Sequence, residues 1–252
     1  YFNGQDWTLD LHPKLNDRIN YLSVLELLSG EMAFGGGYEF SREPGGMVLY
    51  REQGDHYEFS YVLTPRVPNQ IVGLAQTGPE DLWFGGRELS KSAYPEFEGF
   101  EPVVEPVGDF GVLWYDHIAS DGQGGLWVGT WGRGLFHYQD NYWTHYNSEN
   151  GLKSDQVLYV MNDKLRPDTT WVVTRTGLSK FQNGSWINGV IPHKFSFSRE
   201  GTTLKQSSDG AIWINTTRRG WFYRELPKAP VDFSPGYLFK SVRYLPDTEP
   251  PE

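Results

Sequence analysis

A tryptophan-centred apolar strand returns at a nearly fixed interval along this chain, and that period leaves few folds open. Leu82-Trp83-Phe84-Gly85-Gly86, Leu126-Trp127-Val128-Gly129-Thr130, Thr170-Trp171-Val172-Val173-Thr174 and Ile212-Trp213-Ile214-Asn215-Thr216 align, with their tryptophans 44, 44 and 42 residues apart. A weaker copy, Met32-Ala33-Phe34-Gly35-Gly36, stands 50 residues before Trp83 when counted from Ala33. The best-formed unit runs from Asp121 to Tyr138 and reads as turn, strand, turn, strand. Its glycines and Asp121 suit tight turns, because they accept positive φ at little cost. Asp140-Asn141 turns the chain again before the aromatic segment Tyr142 to Tyr146.

Each copy carries an apolar strand upstream of the tryptophan strand: Val24 to Leu28, Ile71 to Ala75, Val112 to Ile118, Val157 to Met161 and, poorly, Thr202 to Lys205. Strands follow at Met47 to Tyr50, Leu135 to Tyr138, Leu178 to Phe181 and Gly220 to Tyr223, and fourth strands at Tyr57 to Tyr61, Tyr142 to Tyr146 and Ser185 to Ile187. Four antiparallel strands every 42 to 50 residues describe the blade of a β-propeller. A blade lies between two neighbours, so its middle strands are expected to be continuously apolar, as Leu126-Trp127-Val128 is. The expected fold is therefore all-β, a propeller of four-stranded antiparallel blades with about five visible. It is expected to span residues 1–244, with copies near 11–61, 62–111, 112–150, 151–190 and 191–233.

Two stretches depart from the pattern. Residues 86–111 are too long for a turn and contain the proline-broken, acidic and aromatic Tyr94-Pro95-Glu96-Phe97-Glu98-Gly99-Phe100-Glu101-Pro102, read here as a loop projecting from one face. Phe2 to Thr8 repeats the pattern of Phe181 to Ile187, so residues 1–10 read as the tail of a blade and the chain as a piece of a longer protein. Pro235 to Tyr244 is read as a last strand, and residues 245–252 as a linker to a following domain.

Composition narrows the function classes. A net charge of −10 argues against nucleic acid or an anionic membrane as main partner. The chain has no cysteine, so it needs neither disulfides nor a thiolate metal site. No apolar run is long enough to span a membrane.

From Asp121 to Tyr146, and again through Gly151-Leu152-Lys153-Ser154-Asp155-Gln156-Val157, the chain resembles the two-component regulator propeller repeat. The matching residues are Asp121, Gly124, Leu126, Trp127, Gly129, Thr130, Gly134, Leu135, Gly151, Leu152 and Asp163. The resemblance implies a sensor propeller on the periplasmic or extracellular side of a membrane-anchored bacterial protein. It further implies covalently linked downstream signalling domains of histidine kinase or nucleotide cyclase type, and oligosaccharides as ligands in several relatives. The motif residues are structural in that family, so no catalytic residue is carried over.

Alternating strand direction sorts the loops onto two faces. The turns between second and third strands share a face with the blade-to-blade connections. Each of these turns holds an arginine: Arg42, Arg87, Arg133, Arg175, and Arg218 with Arg219. Trp131 and Trp221 are assigned to the same turns. Converging guanidinium groups would hold carboxylates or sulfates by paired hydrogen bonds, and the indoles would stack on sugar faces. The same arginines equally suit salt bridges to neighbouring blades or plain exposure to water. Neither a cofactor nor a metal is expected: the six histidines, His12, His56, His117, His137, His145 and His193, lack close ligand spacing, and only His117 falls on an innermost strand. Asp116 and Asp163 end innermost strands, where a glycosidase pair would sit, but strand-end aspartates commonly form turns.

Three readings follow. The first is a non-enzymatic ligand-sensing propeller with an anionic oligosaccharide as candidate ligand. The second is a carbohydrate-binding or carbohydrate-active propeller: a lectin, glycoside hydrolase or lyase. The third is a protein-interaction scaffold or homodimer.

Overall fold

The computed structural model describes residues 20–37, 46–54, 56–62, 71–86, 88–97, 99, 101–103, 117–190, 197, 203–215 and 220–223. They form five antiparallel sheets, each a simple up-and-down meander. Blade 1 comprises β1 (Asn20–Glu26), β2 (Met32–Gly37), β3 (Gly46–Gln53) and β4 (His56–Val62), and blade 2 comprises β5 (Gly73–Gly78), β6 (Asp81–Gly85), β7 (Ser90–Ala93) and β8 (Glu101–Pro102). Blade 3 comprises β9 (His117–Ser120), β10 (Leu126–Gly129), β11 (Leu135–Gln139) and β12 (Tyr142–Tyr146), and blade 4 comprises β13 (Val157–Asn162), β14 (Thr169–Thr174), β15 (Gly177–Gln182) and β16 (Ser185–Asn188). Blade 5 shows β17 (Thr203–Gln206), β18 (Ile212–Asn215) and β19 (Gly220–Tyr223). The first strands neighbour one another in the order β1, β5, β9, β13, β17. They are thus the innermost strands, and the molecule is a β-propeller.

Turn chemistry sets the hairpins. Asp140 and Asn141 both have positive φ (52° and 63°), as do Asn183 and Gly184 (50° and 72°). Two consecutive residues of that kind make the tight turn whose twist matches a hairpin. Tyr142 and Gln139 pair directly across the first of these turns, and Ser185 and Gln182 across the second.

The core lies between blades rather than within them. Leu27, Ala33, Met47 and Leu49 of blade 1 pack on Leu74, Leu82 and Phe84 of blade 2. Ala75 and Trp83 meet Ile118, Val128 and Phe136 of blade 3. Trp127 and Leu135 meet Val157, Val160 and Val172 of blade 4, and Leu158, Trp171 and Val173 meet Leu204, Ile212 and Ile214 of blade 5. Middle strands are consequently covered on both faces: every residue of β10 and of β14 is buried. Gly129 shows how tightly the blades approach, since a Cβ built there would lie 2.6 Å from Cγ1 of Val157.

Hydrogen bonds at both ends tie blade 1 to blade 2 and blade 4 to blade 5, and blade 3 is tied to blade 4 on the side of the β2–β3 type turns. On the side of the β2–β3 type turns, Ile71 N–H donates to Gly36 O (3.4 Å), Val157 N–H to Thr130 O (3.0 Å) and Phe197 N–H to Arg175 O (3.2 Å). On the opposite side a glutamine closes the joint. Gln76 of blade 2 accepts from Leu28 N–H of blade 1 (2.7 Å), and Gln206 of blade 5 accepts from Lys164 N–H of blade 4 (2.6 Å).

The structure corrects the reading of residues 86–111. The segment read as a projecting loop contributes β7 and β8, the third and fourth strands of blade 2. Leu89 and Tyr94 are buried there. The Tyr94 hydroxyl meets Ser29 (2.8 Å) and donates to the Glu31 carboxylate, which Arg51 pairs at 3.0 Å. β7 escaped notice because its inward positions are Ser90 and Ser92, buried but polar. Elsewhere β1 ends at Glu26, since Leu27 N–H bonds Glu31 O to open the turn. Phe2 to Thr8, residues 112–116, Pro235 to Tyr244 and the linker 245–252 lie outside the described residues.

Candidate functional site

Two second-to-third-strand turns are described in full, those of blades 3 and 4, and the connection between the blades joins them. In blade 3 the turn is closed by Thr130, whose N–H and Oγ1 both donate to Gly134 O (3.1 and 2.8 Å). The Gly132 and Gly134 N–H groups donate to Asp155 O (3.0 and 2.8 Å), and Trp131 forms an isolated antiparallel bridge with Gln156. In blade 4 the Arg175 N–H donates to Gln156 O (3.0 Å) and its Nη1 to Gln156 Oε1 (3.3 Å). Gln156 therefore couples the indole-bearing turn of one blade to the arginine-bearing turn of the next.

Arg133 and Arg175 are exposed and Trp131 is half-buried, packed against the cluster that contains Leu158 and Trp171. The Arg133 carbonyl accepts from His145 Nε2 (2.6 Å), and the His145 ring stacks on Phe136 (4.3 Å between centroids, 8° apart). The Asp155 carboxylate is taken by the Ser148 N–H (2.6 Å) and hydroxyl (3.1 Å). Toward the axis at the same end, the rings of His117 and Tyr159 lie 4.8 Å apart and tilted by 40°. Burial pushes the Tyr159 hydroxyl pKa up.

Of the residues singled out from sequence, Trp131, Arg133 and Arg175 thus share one face. Trp221 does not belong to a turn: it lies within β19, opposite Ile214. Arg42, Arg87, Arg218 and Arg219 lie outside the described residues. Asp116 lies outside them too, whereas Asp163 is fully buried and its carboxylate is engaged on every side. It accepts from Leu165 N–H (3.0 Å), Arg166 N–H (3.0 Å), Gln206 Nε2 (2.8 Å), Trp171 Nε1 (2.9 Å) and the Arg166 guanidinium (2.7 Å). Burial pushes the Asp163 pKa up, but the bonds from Gln206, Trp171, Arg166 and Leu165 together hold it below the usual value. Such a carboxylate joins blades and is not placed for general acid or base work. No group of three His, Asp or Glu side chains converges among the described residues.

Sequence reasoning passed over Gln156, Asp155 and Tyr159. The available signal was position: Asp155 and Gln156 precede the first strand of blade 4, in the connection that returns to the arginine face.

The chain matches no family model and no curated protein sequence. Similarity appears in the fold. Over 82% of this chain, the structure is similar to the extracellular domain of BT4673 from B. thetaiotaomicron, at TM-scores of 0.57 and 0.59 and identities of 15% and 19% in two structures. That protein is described in one as a one-component and in the other as a hybrid two-component system. The chain covers 30% and 26% of those ectodomains. It is also similar to YCF48 bound to D1 peptide (TM-score 0.57, 17% identity, 84% of this chain and 66% of the other). The WD40 propeller domain of Doa1 matches with a TM-score of 0.52 and 16% identity, over 84% of this chain and 69% of the other. Five sheets in meander order, with cores between them, and these likenesses agree on one conclusion: the chain is built as consecutive blades of a β-propeller.

Proposed function

We propose that this chain is the ligand-sensing propeller of a membrane-bound bacterial signalling protein. It works outside the cytoplasm, without catalysis, and passes its signal to covalently linked downstream domains. Its ligand face is the one carrying Trp131, Arg133 and Arg175, and the ligand is an anionic oligosaccharide. The observation that carries the reading is Gln156, which holds the Trp131 turn and the Arg175 guanidinium together across a blade boundary. An arginine beside an indole in an acidic protein suits a ring that bears negative charge. The likeness to an extracellular domain of a bacterial sensory system supports the setting. The buried, fully bonded Asp163 supports a non-enzymatic role.

The test is a thermal-shift screen of this chain against acidic and neutral oligosaccharides, with an Arg133→Ala/Arg175→Ala variant alongside. Ligand binding to the folded state raises the melting temperature by mass action. A shift with acidic sugars that the variant loses supports the reading. A shift that the variant keeps removes the arginine face from it, and no shift with any sugar rejects the ligand class.

A further inference from the structure

Asparagine followed by glycine recurs at Asn3-Gly4, Asn150-Gly151, Asn183-Gly184 and Asn188-Gly189. The first lies outside the described residues. The fold treats the other three differently. At Asn150 both ends of the amide are held: Oδ1 accepts from Asn147 N–H and Nδ2 donates to His145 O, each at 2.7 Å. At Asn188 both ends are held again, Oδ1 by the Ser179 hydroxyl (2.7 Å) and Nδ2 on Gly151 O (2.8 Å). Gly151 is covered as well, since a Cβ built there would lie 2.7 Å from Cδ1 of Trp186.

Asn183-Gly184 is held by none of these means. The pair forms the tip of the β15–β16 turn, and residues 183–185 are exposed. The Asn183 amide has no hydrogen-bond partner among the described residues. The ladder pairs Gln182 with Ser185, so the Gly184 N–H stands outside it. A Cβ built on Gly184 would meet nothing within 4 Å, so nothing crowds the glycine. An electrophilic carboxamide carbon and the backbone nitrogen of the next residue thus sit side by side, both unengaged and both in water.

We propose that Asn183-Gly184 is a self-modification site, at which the side-chain amide is lost and the backbone is rejoined. The Gly184 nitrogen attacks Cγ of Asn183 when the turn opens. A bond from that nitrogen to Cγ forms, the Cγ–Nδ2 bond breaks, and Nδ2 leaves as ammonia with the proton from Gly184. Water then opens the five-membered imide at either carbonyl and gives aspartate or isoaspartate, with no change of oxidation state. Opening the turn breaks the Gln182–Ser185 pair. At Asn150 and Asn188 the attack must also release two side-chain hydrogen bonds. Isoaspartate runs the chain through the side-chain carbon and adds one backbone atom, and a two-residue hairpin turn has no place for it. The strand that follows, β16, carries Trp186, which covers Gly151, and Asn188, which bonds Gly151 O. The modification therefore loosens the outer edge of blade 4 from the connection between blades 3 and 4.

The folded chain is incubated at mildly alkaline pH and body temperature, and its peptides are mapped by mass spectrometry over time. The gain in mass when an amide becomes an acid marks each site. Asn183 should convert roughly tenfold or more faster than Asn150 and Asn188, the factor that two retained hydrogen bonds supply. In concentrated urea, where those bonds are gone, the three rates should draw together. Equal rates in the folded chain, or Asn183 as the slowest of the three, would overturn the site. Urea unfolding reads the consequence. The midpoint of the aged wild type should fall, while an aged Asn183→Gly chain, which keeps a pair suited to the turn and has no amide to lose, should hold its midpoint. Fresh Asn183→Asp adds the charge without the extra backbone atom and should stay near the fresh wild type. An aged wild type that unfolds like aged Asn183→Gly, or an Asn183→Asp chain that falls as far as the aged wild type, would overturn the loosening of β16.

Discussion

Nε2 of His137 lies 2.8 Å from Oδ2 of Asp121, and this pair takes the place of a tryptophan–aspartate bond in the next blade. In blade 4 the Trp171 indole donates to Asp163. In blade 3 the equivalent Trp127 instead stacks face to face on the His137 ring (3.9 Å, 14°), and its Nε1 is buried with no partner. The Asp121 carboxylate keeps two backbone donors, Gln123 N–H and Gly125 N–H (2.7 and 2.8 Å). His137→Phe should therefore preserve the stack and remove the charged hydrogen bond, at about 2 kcal/mol. Urea unfolding measures it. An unchanged midpoint would show that the His137–Asp121 contact adds nothing to stability.

Acid should weaken the blade joints. For Asp121, Asp163 and Glu31, burial raises the pKa, but hydrogen bonds outweigh it and leave all three below the ordinary 3.8 and 4.5. The decisive bonds come from His137 at Asp121, from Gln206 and Trp171 at Asp163, and from Tyr94 and Arg51 at Glu31. A folded-state pKa below the unfolded one stabilises at neutral pH, and that stability is lost as pH falls through the folded value. The urea midpoint should hold steady down to about pH 5 and then fall steeply. Asp163→Asn should flatten the fall; parallel curves for variant and wild type would assign the acid sensitivity elsewhere.

Gln206 closes the joint between blades 4 and 5 with both ends of its amide. Its Oε1 accepts from Lys164 N–H and its Nε2 donates to Asp163 Oδ1 (2.6 and 2.8 Å). Gln206→Ala should cost about 1–2 kcal/mol. Gln206→Glu keeps the shape but sets a second carboxylate against Asp163, so near neutral pH it should be the less stable of the two variants. The gap between them should close as the pH approaches the range where the new carboxyl takes a proton. A Gln206→Glu variant as stable as the wild type at neutral pH would mean that Nε2 is not the bonding end.

Gly129 and Val157 should be energetically coupled across the joint between blades 3 and 4. The missing Cβ of Gly129 leaves just the room that Val157 fills. Gly129→Ala should destabilise by about 2 kcal/mol through overpacking. Val157→Ala should itself cost stability by leaving a cavity. The double variant should be more stable than the sum of the two predicts, because each relieves the other's fault. Strict additivity in a double-mutant cycle would place the strain of Gly129→Ala elsewhere.

The repeat could be read from the sequence because its signals are local. Leu126-Trp127-Val128 and Trp171-Val172-Val173 are unbroken apolar runs, and Asp140-Asn141 and Asn183-Gly184 suit residues of positive φ, so strand and turn positions follow from near neighbours. β7 did not follow, since Ser90 and Ser92 are buried without being apolar. Counting along the repeat placed Arg133 and Arg175 in their turns, yet Trp221, counted the same way, stands in β19, where turn and strand differ by a residue or two.

The chain by itself determined the period, the blade, the strand order and the face on which each turn falls, because these depend on residues a few positions apart and on the alternation of strand direction. Only the tertiary structure decided what meets across a joint. Tyr94 finds Glu31, Gln76 finds Leu28, Gln206 finds Asp163, and Gln156 joins Trp131 to Arg175. Those partners are chosen by the stacking of one blade on the next, which brings distant side chains together by volume and register, and no local pattern records that fit.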